Sequence, residues 1–176
     1  MTKNRMKSIS DLTEDHRIIW RSLDVLDEMS ARTQNQQPIP EQDVLTLLRF
    51  LRVFADDHHQ TKEESALFPV LMQTKANGRL RQMIFEHDQE RSLVEGLEDS
   101  LRTRKGAEFV HFANRLAQLI RTHIQKEDTV LFPIAESCLS EQQDERVTAE
   151  LQKFTVDSTL LDDLRRLEWA YLKRAA

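Results

Sequence analysis

The sequence predicts an all-α protein, an up-down-up-down four-helix bundle with two extra C-terminal helices. At 176 residues the chain is long enough for one domain with a sizeable core. Charged residues make up 31% of it, and only 3 Gly and 4 Pro interrupt it, a composition typical of long amphipathic helices. Apolar residues recur at steps of three and four along four long stretches, and the short connections between them favour antiparallel neighbours.

The first two helices have recognisable boundary signals. Asp11 with Glu14 three residues later resembles a capping box, so the first helix is predicted to begin there. A Pro-Ile-Pro segment then breaks the chain, and a second helix is predicted to start directly after Pro40. This helix is expected to stop near Gly78, because Asn-Gly is a common C-terminal signal.

The remaining helices follow from the same apolar periodicity. The third is expected to end near Gly106, and the fourth carries an apolar stripe from Phe109 to Leu131. Two shorter helices are predicted over roughly 140–154 and 158–173.

The chain is therefore divided into a bundle over residues 10–136 and a C-terminal helical extension over 137–176. The extension is expected to pack on the outside of the bundle. The side chains predicted to face inward from its last helix are Leu161, Leu164, Leu167 and Tyr171.

Charge and hydropathy argue against two classes of partner. A formal net charge of −5 offers no concentrated basic surface for neutralising phosphates, so no nucleic acid is expected. No run of about eighteen apolar residues is present, so no membrane span is expected. The charged N-terminus lacks the apolar segment of a secretory signal. A cytoplasmic protein is therefore predicted.

A repeated segment carries the strongest functional signal. Residues 59–69 and 123–133 share six identities in eleven positions: a histidine, a lysine, a glutamate and a Leu-Phe-Pro triplet. The repeat indicates two helical hairpins related by a pseudo-two-fold axis. The triplets are expected to be structural, with their leucines closing one end of the site against water.

The spacing within the repeat favours metal binding. His59 precedes Glu63 by four residues, as His123 precedes Glu127, so each pair lies on one helix face about one turn, or about 6 Å, apart along the axis. Imidazole and carboxylate groups on facing helices are how bundle cores hold paired metal ions. Iron, manganese and zinc all accept such ligands.

Two further histidines complete the predicted ligand set. His16 and His87 each lie on the apolar stripe of the other two helices, directly after an acid. A lone histidine in such a place is more often a hydrogen-bonded core residue, and an isolated His-x-x-x-Glu is often a surface pair. Four such histidines together would be costly to bury without a metal. The predicted ligands are His16, His59, Glu63, His87, His123 and Glu127.

The other candidates are placed outside the ligand set. His58 has a lysine four residues later instead of an acid, and is interpreted as a surface residue or a support for the ligands. His111 lies off the apolar stripe and is expected to be solvated. Lys62 and Lys126 are expected to face solvent.

These residues resemble the hemerythrin-like, HHE cation-binding family over approximately residues 10–136. The resemblance implies a four-helix bundle with a non-haem, carboxylate-bridged centre of two iron ions, manganese or zinc being less favoured. Members of the family bind dioxygen, sense oxygen, iron or nitric oxide, or act in repair of damaged iron–sulfur clusters.

The chain departs from the oxygen-carrying hemerythrins at two positions. Their third helix carries a second histidine four residues after the first, where this chain has Arg91. Their fourth-helix acid lies five residues after its histidine, which corresponds to Asp128. The internal repeat favours Glu127, and Asp128 is kept in reserve, as is His58. The missing histidine argues against simple oxygen carriage.

Three functional hypotheses remain open. The favoured one is a protein that binds or senses a small diatomic ligand, oxygen or nitric oxide, because no residues beyond the ligands indicate acid–base catalysis. The second is a di-iron enzyme acting on nitric oxide or peroxide, or in iron–sulfur cluster repair or iron handling. The third is a single structural metal, such as zinc, that stabilises the bundle. A redox partner and the oligomeric state are left open.

Overall fold

The computed structural model describes residues 6–172 and folds them into six helices, with no strand in this part of the chain. The predicted all-α class is confirmed. Helix α1 spans Lys7–Gln34, α3 spans Asn77–Arg102, α5 spans Glu141–Leu151 and α6 spans Ser158–Tyr171. Helix α2 covers 41–71 and contains π-helical segments at Leu51–Gln60 and Glu63–Leu67; α4 covers 106–138 and contains one at Glu127–Leu131.

The four long helices pack side by side, and α1 and α4 close the bundle. Their buried apolar residues form two clusters. One, containing Ile19 and Val94, fills the end of the bundle near the α1–α2 connection. The other, containing Leu12 and Met83, fills the opposite end together with α5. His16 and His87 lie along their helices between residues of the two clusters, so a buried polar layer separates two apolar ones.

The predicted start of α1 is wrong. The helix begins at Lys7, and its N-cap residue has no capping side chain of its own. Asp144 of α5 instead accepts hydrogen bonds from the backbone N–H groups of Lys7 at 3.0 Å and Ser8 at 3.1 Å. Because this capping carboxylate lies more than 130 residues away in the sequence, no local pattern near residue 7 indicates it.

The predicted stop of α2 at Gly78 is also wrong, whereas α3 ends at Arg102, close to the predicted end near Gly106. Helix α2 already ends at Leu71, Gly78 is the second residue of α3, and Gly106 is the first of α4. The residues with left-handed backbone are Gln36 (φ 58°) and Arg104 (φ 55°). In both turns the next residue donates to the carbonyl five residues earlier, which satisfies the helix end without glycine.

A widened turn begins at each glutamate of the repeat. The N–H of Phe68 bonds the carbonyl of Glu63, and the N–H of Phe132 bonds that of Glu127, each five residues back. Each turn ends just before a proline, which has no N–H to continue the regular α-helical ladder. From each glutamate onward, the two halves of the repeat thus have the same local backbone.

The C-terminal helices pack against the bundle. Helix α5 contacts α1 and the π turn of α2, and α6 contacts α1 and the start of α2. Leu164, Leu167 and Tyr171 are buried as predicted, whereas Leu161 is only half-buried and Leu160 is buried instead. Residues 1–5 and 173–176 lie outside the described part. No helix within 6–172 has the length and apolar character needed to cross a membrane.

Candidate metal centre

All six predicted ligands are buried in the polar layer at the middle of the bundle. The structure brings them together in two groups, in each of which the candidate ligand atoms lie within 4.8 Å of one another. Both groups contain the two glutamates. The first consists of His16, His59, Glu63 and Glu127, and the second of Glu63, His87, His123 and Glu127.

Each glutamate lies between a histidine of its own helix and one of a neighbouring helix. Glu127 Oε2 is 3.3 Å from His123 Nε2 and 3.2 Å from His16 Nε2. In the other half, Glu63 Oε2 is 3.7 Å from His59 Nε2 and 3.4 Å from the Nε2 atom of His87. The two halves therefore repeat the same geometry, and each carboxylate is positioned to be shared between two metal positions.

The opposite nitrogen of every ligand histidine bonds a carboxylate. Because a carboxylate only accepts, Nδ1 carries the proton in each case, and Nε2 is left facing the centre. The pairs are His16–Asp128 at 3.0 Å, His59–Asp15 at 3.4 Å, His87–Glu64 at 2.7 Å and His123–Glu86 at 2.9 Å.

These four supporting acids also follow the two-fold repeat. Asp15 and Glu86 directly precede a ligand histidine, whereas Glu64 and Asp128 directly follow a ligand glutamate. Asp128 belongs to neither ligand group. The two preceding acids stand out in the sequence beside His16 and His87, but that position alone does not indicate a role for them. The positions of all four acids together could have indicated this role, because each acid is adjacent to a predicted ligand and the same positions carry an acid in both halves.

The solvent-facing position predicted for Lys62 is wrong, and that predicted for Lys126 holds only in part. Lys62 is 6% exposed, and its Nζ donates to Asp15 at 2.8 Å. Lys126 is half-buried and donates to Glu86. Each lysine therefore holds the acid that orients the histidine three residues before it. This contact explains why the lysine recurs in the repeat.

Two other polar residues contact the residues that support this layer. His58 Nε2 lies 2.6 Å from Lys62 Nζ, outside both ligand groups. Arg91 donates to Glu64 at 2.9 Å and to Asp56 at 2.8 Å, so it fixes the acid that supports His87. His111 is exposed on α4, as predicted.

The Leu-Phe-Pro triplets form a lid on the centre. The ring of Phe132 stacks on His16 at a centroid distance of 5.4 Å, and that of Phe68 stacks on His87 at 6.0 Å. Leu67 and Leu131 are fully buried in the same apolar cluster. The phenylalanines, which the sequence argument had not singled out, make the direct ring contact.

The buried atoms at the centre fit a metal ion. His16 Nε2, His59 Nε2 and both oxygens of Glu63 and Glu127 are buried without a hydrogen-bond partner. The Nε2 atoms of His87 and His123 lie 3.0 Å apart, although each ring already carries its proton on Nδ1. Such atoms are expensive to bury unpaired, and cations among them would satisfy them together.

The electrostatics of the metal-free centre favour extra protons. Burial alone would lower the pKa of His16, but the carboxylates of Asp128 and Glu127 outweigh it and raise the pKa to about 9. The same balance, with Glu63 and Glu64, raises the pKa of His87 to about 9. Protons therefore compete with cations for these nitrogens.

Glu90 is an acid at the centre that the sequence argument missed. It is 4% exposed, and burial raises its pKa to about 7. Its Oε2 accepts from Gln60 Nε2 at 2.6 Å, and its Oε1 has no partner. Its position three residues after His87 places it on the same helix face, which was the available signal.

Comparison with known proteins agrees with this geometry. The model of the family described as Hemerythrin HHE cation binding domain matches residues 7–135, which is more than half of the chain. No curated protein and no solved structure matches the chain. The matched region contains every predicted ligand and every supporting acid. The chain therefore belongs to the hemerythrin HHE cation-binding domain family.

Proposed function

We propose that the chain is a non-haem di-iron protein that binds or senses a small diatomic ligand, oxygen or nitric oxide. The six ligands would be His16, His59, Glu63, His87, His123 and Glu127. The observation that carries the proposal is the pair of ligand groups that share both glutamates. Nitrogen and carboxylate ligands of this kind suit iron.

The number of donors supports ligand binding over a purely structural ion. Each group supplies two imidazoles and two shared carboxylates. Structural zinc sites are typically closed by four ligands of their own, whereas here the carboxylates are divided between two positions. When bound, the two iron ions would supply coordination positions for a small ligand. The protein's own residues fix the imidazoles, hold the carboxylates and exclude water with the stacked phenylalanines.

The free space next to the ligands supports a small partner. A small cavity of about 10 Å³ borders His59 and His123. This is about the space that one water molecule needs, so a ligand of two heavy atoms is near the upper limit without movement of the helices.

An enzyme acting on nitric oxide or peroxide is the second candidate. One observation favours it: Glu90 is buried beside the ligands with a pKa raised to about 7 by burial, so it can hold a proton near neutrality. Reduction of nitric oxide or peroxide consumes protons, and Glu90 would be the group that supplies one.

Anaerobic iron loading followed by metal analysis and optical titration tests the proposal. The expected result is two irons per chain and a new, stable absorption band when the reduced protein meets oxygen or nitric oxide. Repeated turnover with a reductant would favour the enzyme instead. One zinc per chain after purification from iron-replete cells would contradict the di-iron centre.

The paired variants His59→Ala and His111→Ala give this experiment a matched control. Both remove one imidazole, but only His59 lies in a ligand group. The first is expected to lose iron and the second to keep it. Equal iron content in the two variants would contradict the ligand assignment.

A further inference from the structure

The polar pair Gln60 and Glu90 breaks the two-fold symmetry of the centre. Gln60 directly follows one ligand histidine, and Glu90 lies three residues after another. At the same offsets in the other half of the repeat stand Ile124 and Ile19. All four side chains are buried. The ligands are thus duplicated, whereas the residues next to them are polar on one side and apolar on the other.

The cavity at the centre is lined by both pairs. The four residues named above surround the 10 Å³ space together with His59 and His123 and two small or apolar residues, Ala55 and Ile120. Since His59 belongs to one ligand group and His123 to the other, the cavity borders one candidate ligand of each group. It has one polar wall, between α2 and α3, and one apolar wall, between α4 and α1.

A second cavity continues outward from the polar wall. It measures about 20 Å³ and is lined by Gln60 and Glu90 from the inside and by Arg52, Asp56 and Arg91 from the outside. The side chains of the two arginines are 40% and 29% exposed. The polar pair therefore separates the space at the centre from the partly exposed seam of α2 and α3.

The polar pair is incompletely satisfied. Beyond the single hydrogen bond that joins them, Gln60 Oε1 and Glu90 Oε1 are buried without a partner. Buried polar atoms are normally paired, so each unpaired one calls for an explanation. Packing alone does not require polarity at this place, because isoleucines fill the equivalent positions on the other side.

We propose that the small ligand occupies the cavity between His59 and His123, where the carboxyl group of Glu90, held in place by Gln60, donates a hydrogen bond to it and the isoleucines form its apolar wall. The inference rests on the proposed function, and it makes Glu90 and Gln60 specificity-determining residues. The pair selects for a ligand with a hydrogen-bonding end, and the apolar wall limits its size. Neither residue belongs to a ligand group for the metal.

The test compares a Gln60→Leu/Glu90→Leu double variant with Glu90→Gln and with Leu97→Val. Leu97 is buried on the same helix as Glu90 and lines neither cavity, so it controls for a change in the core. Three quantities are measured: iron per chain, the melting temperature of the metal-free protein, and the affinity of the reduced, iron-loaded protein for nitric oxide in an anaerobic titration.

In the double variant we expect wild-type iron content, an undiminished melting temperature and an affinity for nitric oxide weakened about tenfold, the size of one lost hydrogen bond. The melting temperature should not fall because both polar partners are removed together. Glu90→Gln keeps a donor and should retain the affinity to within about threefold. Leu97→Val should leave the affinity unchanged.

Three outcomes would overturn the inference. An unchanged affinity in the double variant would show that the pair does not contact the ligand. A lower iron content would make Glu90 a metal ligand, and a markedly lower melting temperature would make the pair structural. Wild-type protein that holds two irons but takes up neither gas would contradict the proposed function as well, which separates the two failures.

Discussion

The seam between α2 and α3 and the seam between α4 and α1 flank the same centre but are built from different residues. In the α4–α1 seam the residues next to the ligands are Ile19 and Ile124, both in the apolar core. The α2–α3 seam instead contains the Gln60–Glu90 hydrogen bond next to the ligands. Ion pairs occur in both seams. Helix α2 is π-helical over Leu51–Gln60, whereas α4 is regular up to Lys126.

The difference separates two tasks that a symmetric bundle would otherwise combine. Holding two ions requires equivalent donors. The ligands, and also the acids and lysines that support them, occur at equivalent positions in both halves of the repeat. Admitting a ligand requires only one opening, and of these two seams only the α2–α3 seam has a second cavity, bordered by the Gln60–Glu90 pair, beside the centre. Four predictions test this division, in order of expected effect.

The largest effect is expected from the shared glutamates. Glu63→Ala and Glu127→Ala should each lose both ions, because each carboxylate belongs to both ligand groups. In the presence of added iron, both variants should then melt at the temperature of the metal-free protein, since no metal-binding free energy stabilises the fold. Metal analysis and thermal unfolding measure this. If one variant kept two ions, the symmetry of the centre would not extend to its ligands.

How far the sequence predicts this arrangement can be judged from particular residues. His59 and Glu63 were predictable because helical periodicity places residues four apart on one face, and the repeat gave the second pair. Asp144 as the cap of α1, and the buried Lys62, were not predictable, since both depend on contacts between distant segments. Glu90 was missed because an acid on an amphipathic helix is usually exposed.

The second prediction concerns the stability of the metal-free protein as the pH rises. The folded pKa values of His16 and His87 are raised to about 9, so their stabilisation is present below about pH 6.5 and is lost as the pH approaches 9. Glu90 adds to the loss, since its folded pKa of about 7 lies above the ordinary 4.5 and its burial as an anion is unfavourable.

Urea unfolding of the metal-free protein between pH 4.5 and 9.5 would show a decline of several kcal/mol, given about 1.4 kcal/mol per pKa unit and partial compensation. Glu90→Gln should remove the decline between pH 4.5 and 7 and leave that between 6.5 and 9. A Glu90→Gln profile identical to wild type would contradict the role given to the polar seam.

The third prediction compares the two seams as packing. Ile124→Ala should lower the free energy of unfolding by about 2–5 kcal/mol because it leaves a cavity in the apolar seam. Gln60→Ala should lower it by about 1–3 kcal/mol, the cost of leaving Glu90 without its hydrogen bond. Urea unfolding of the metal-free variants at pH 6 measures both. A larger decrease in the free energy of unfolding for Gln60→Ala than for Ile124→Ala would mean that the polar seam stabilises the fold more than the apolar one.

The smallest effects, on metal affinity, are expected from the residues that hold the ligand histidines in place. Glu64→Gln and Asp128→Asn should each weaken metal affinity about 10–100-fold, because each variant keeps its size but holds its histidine less firmly. Arg91→Met should weaken it less than Glu64→Gln, since Arg91 acts only through that acid. Trp20→Leu is the matched control, four residues after His16 as Arg91 is four after His87. Competition with a chelator of known affinity gives the ratios, and similar losses for Arg91→Met and Trp20→Leu would indicate that Arg91 does not support the centre.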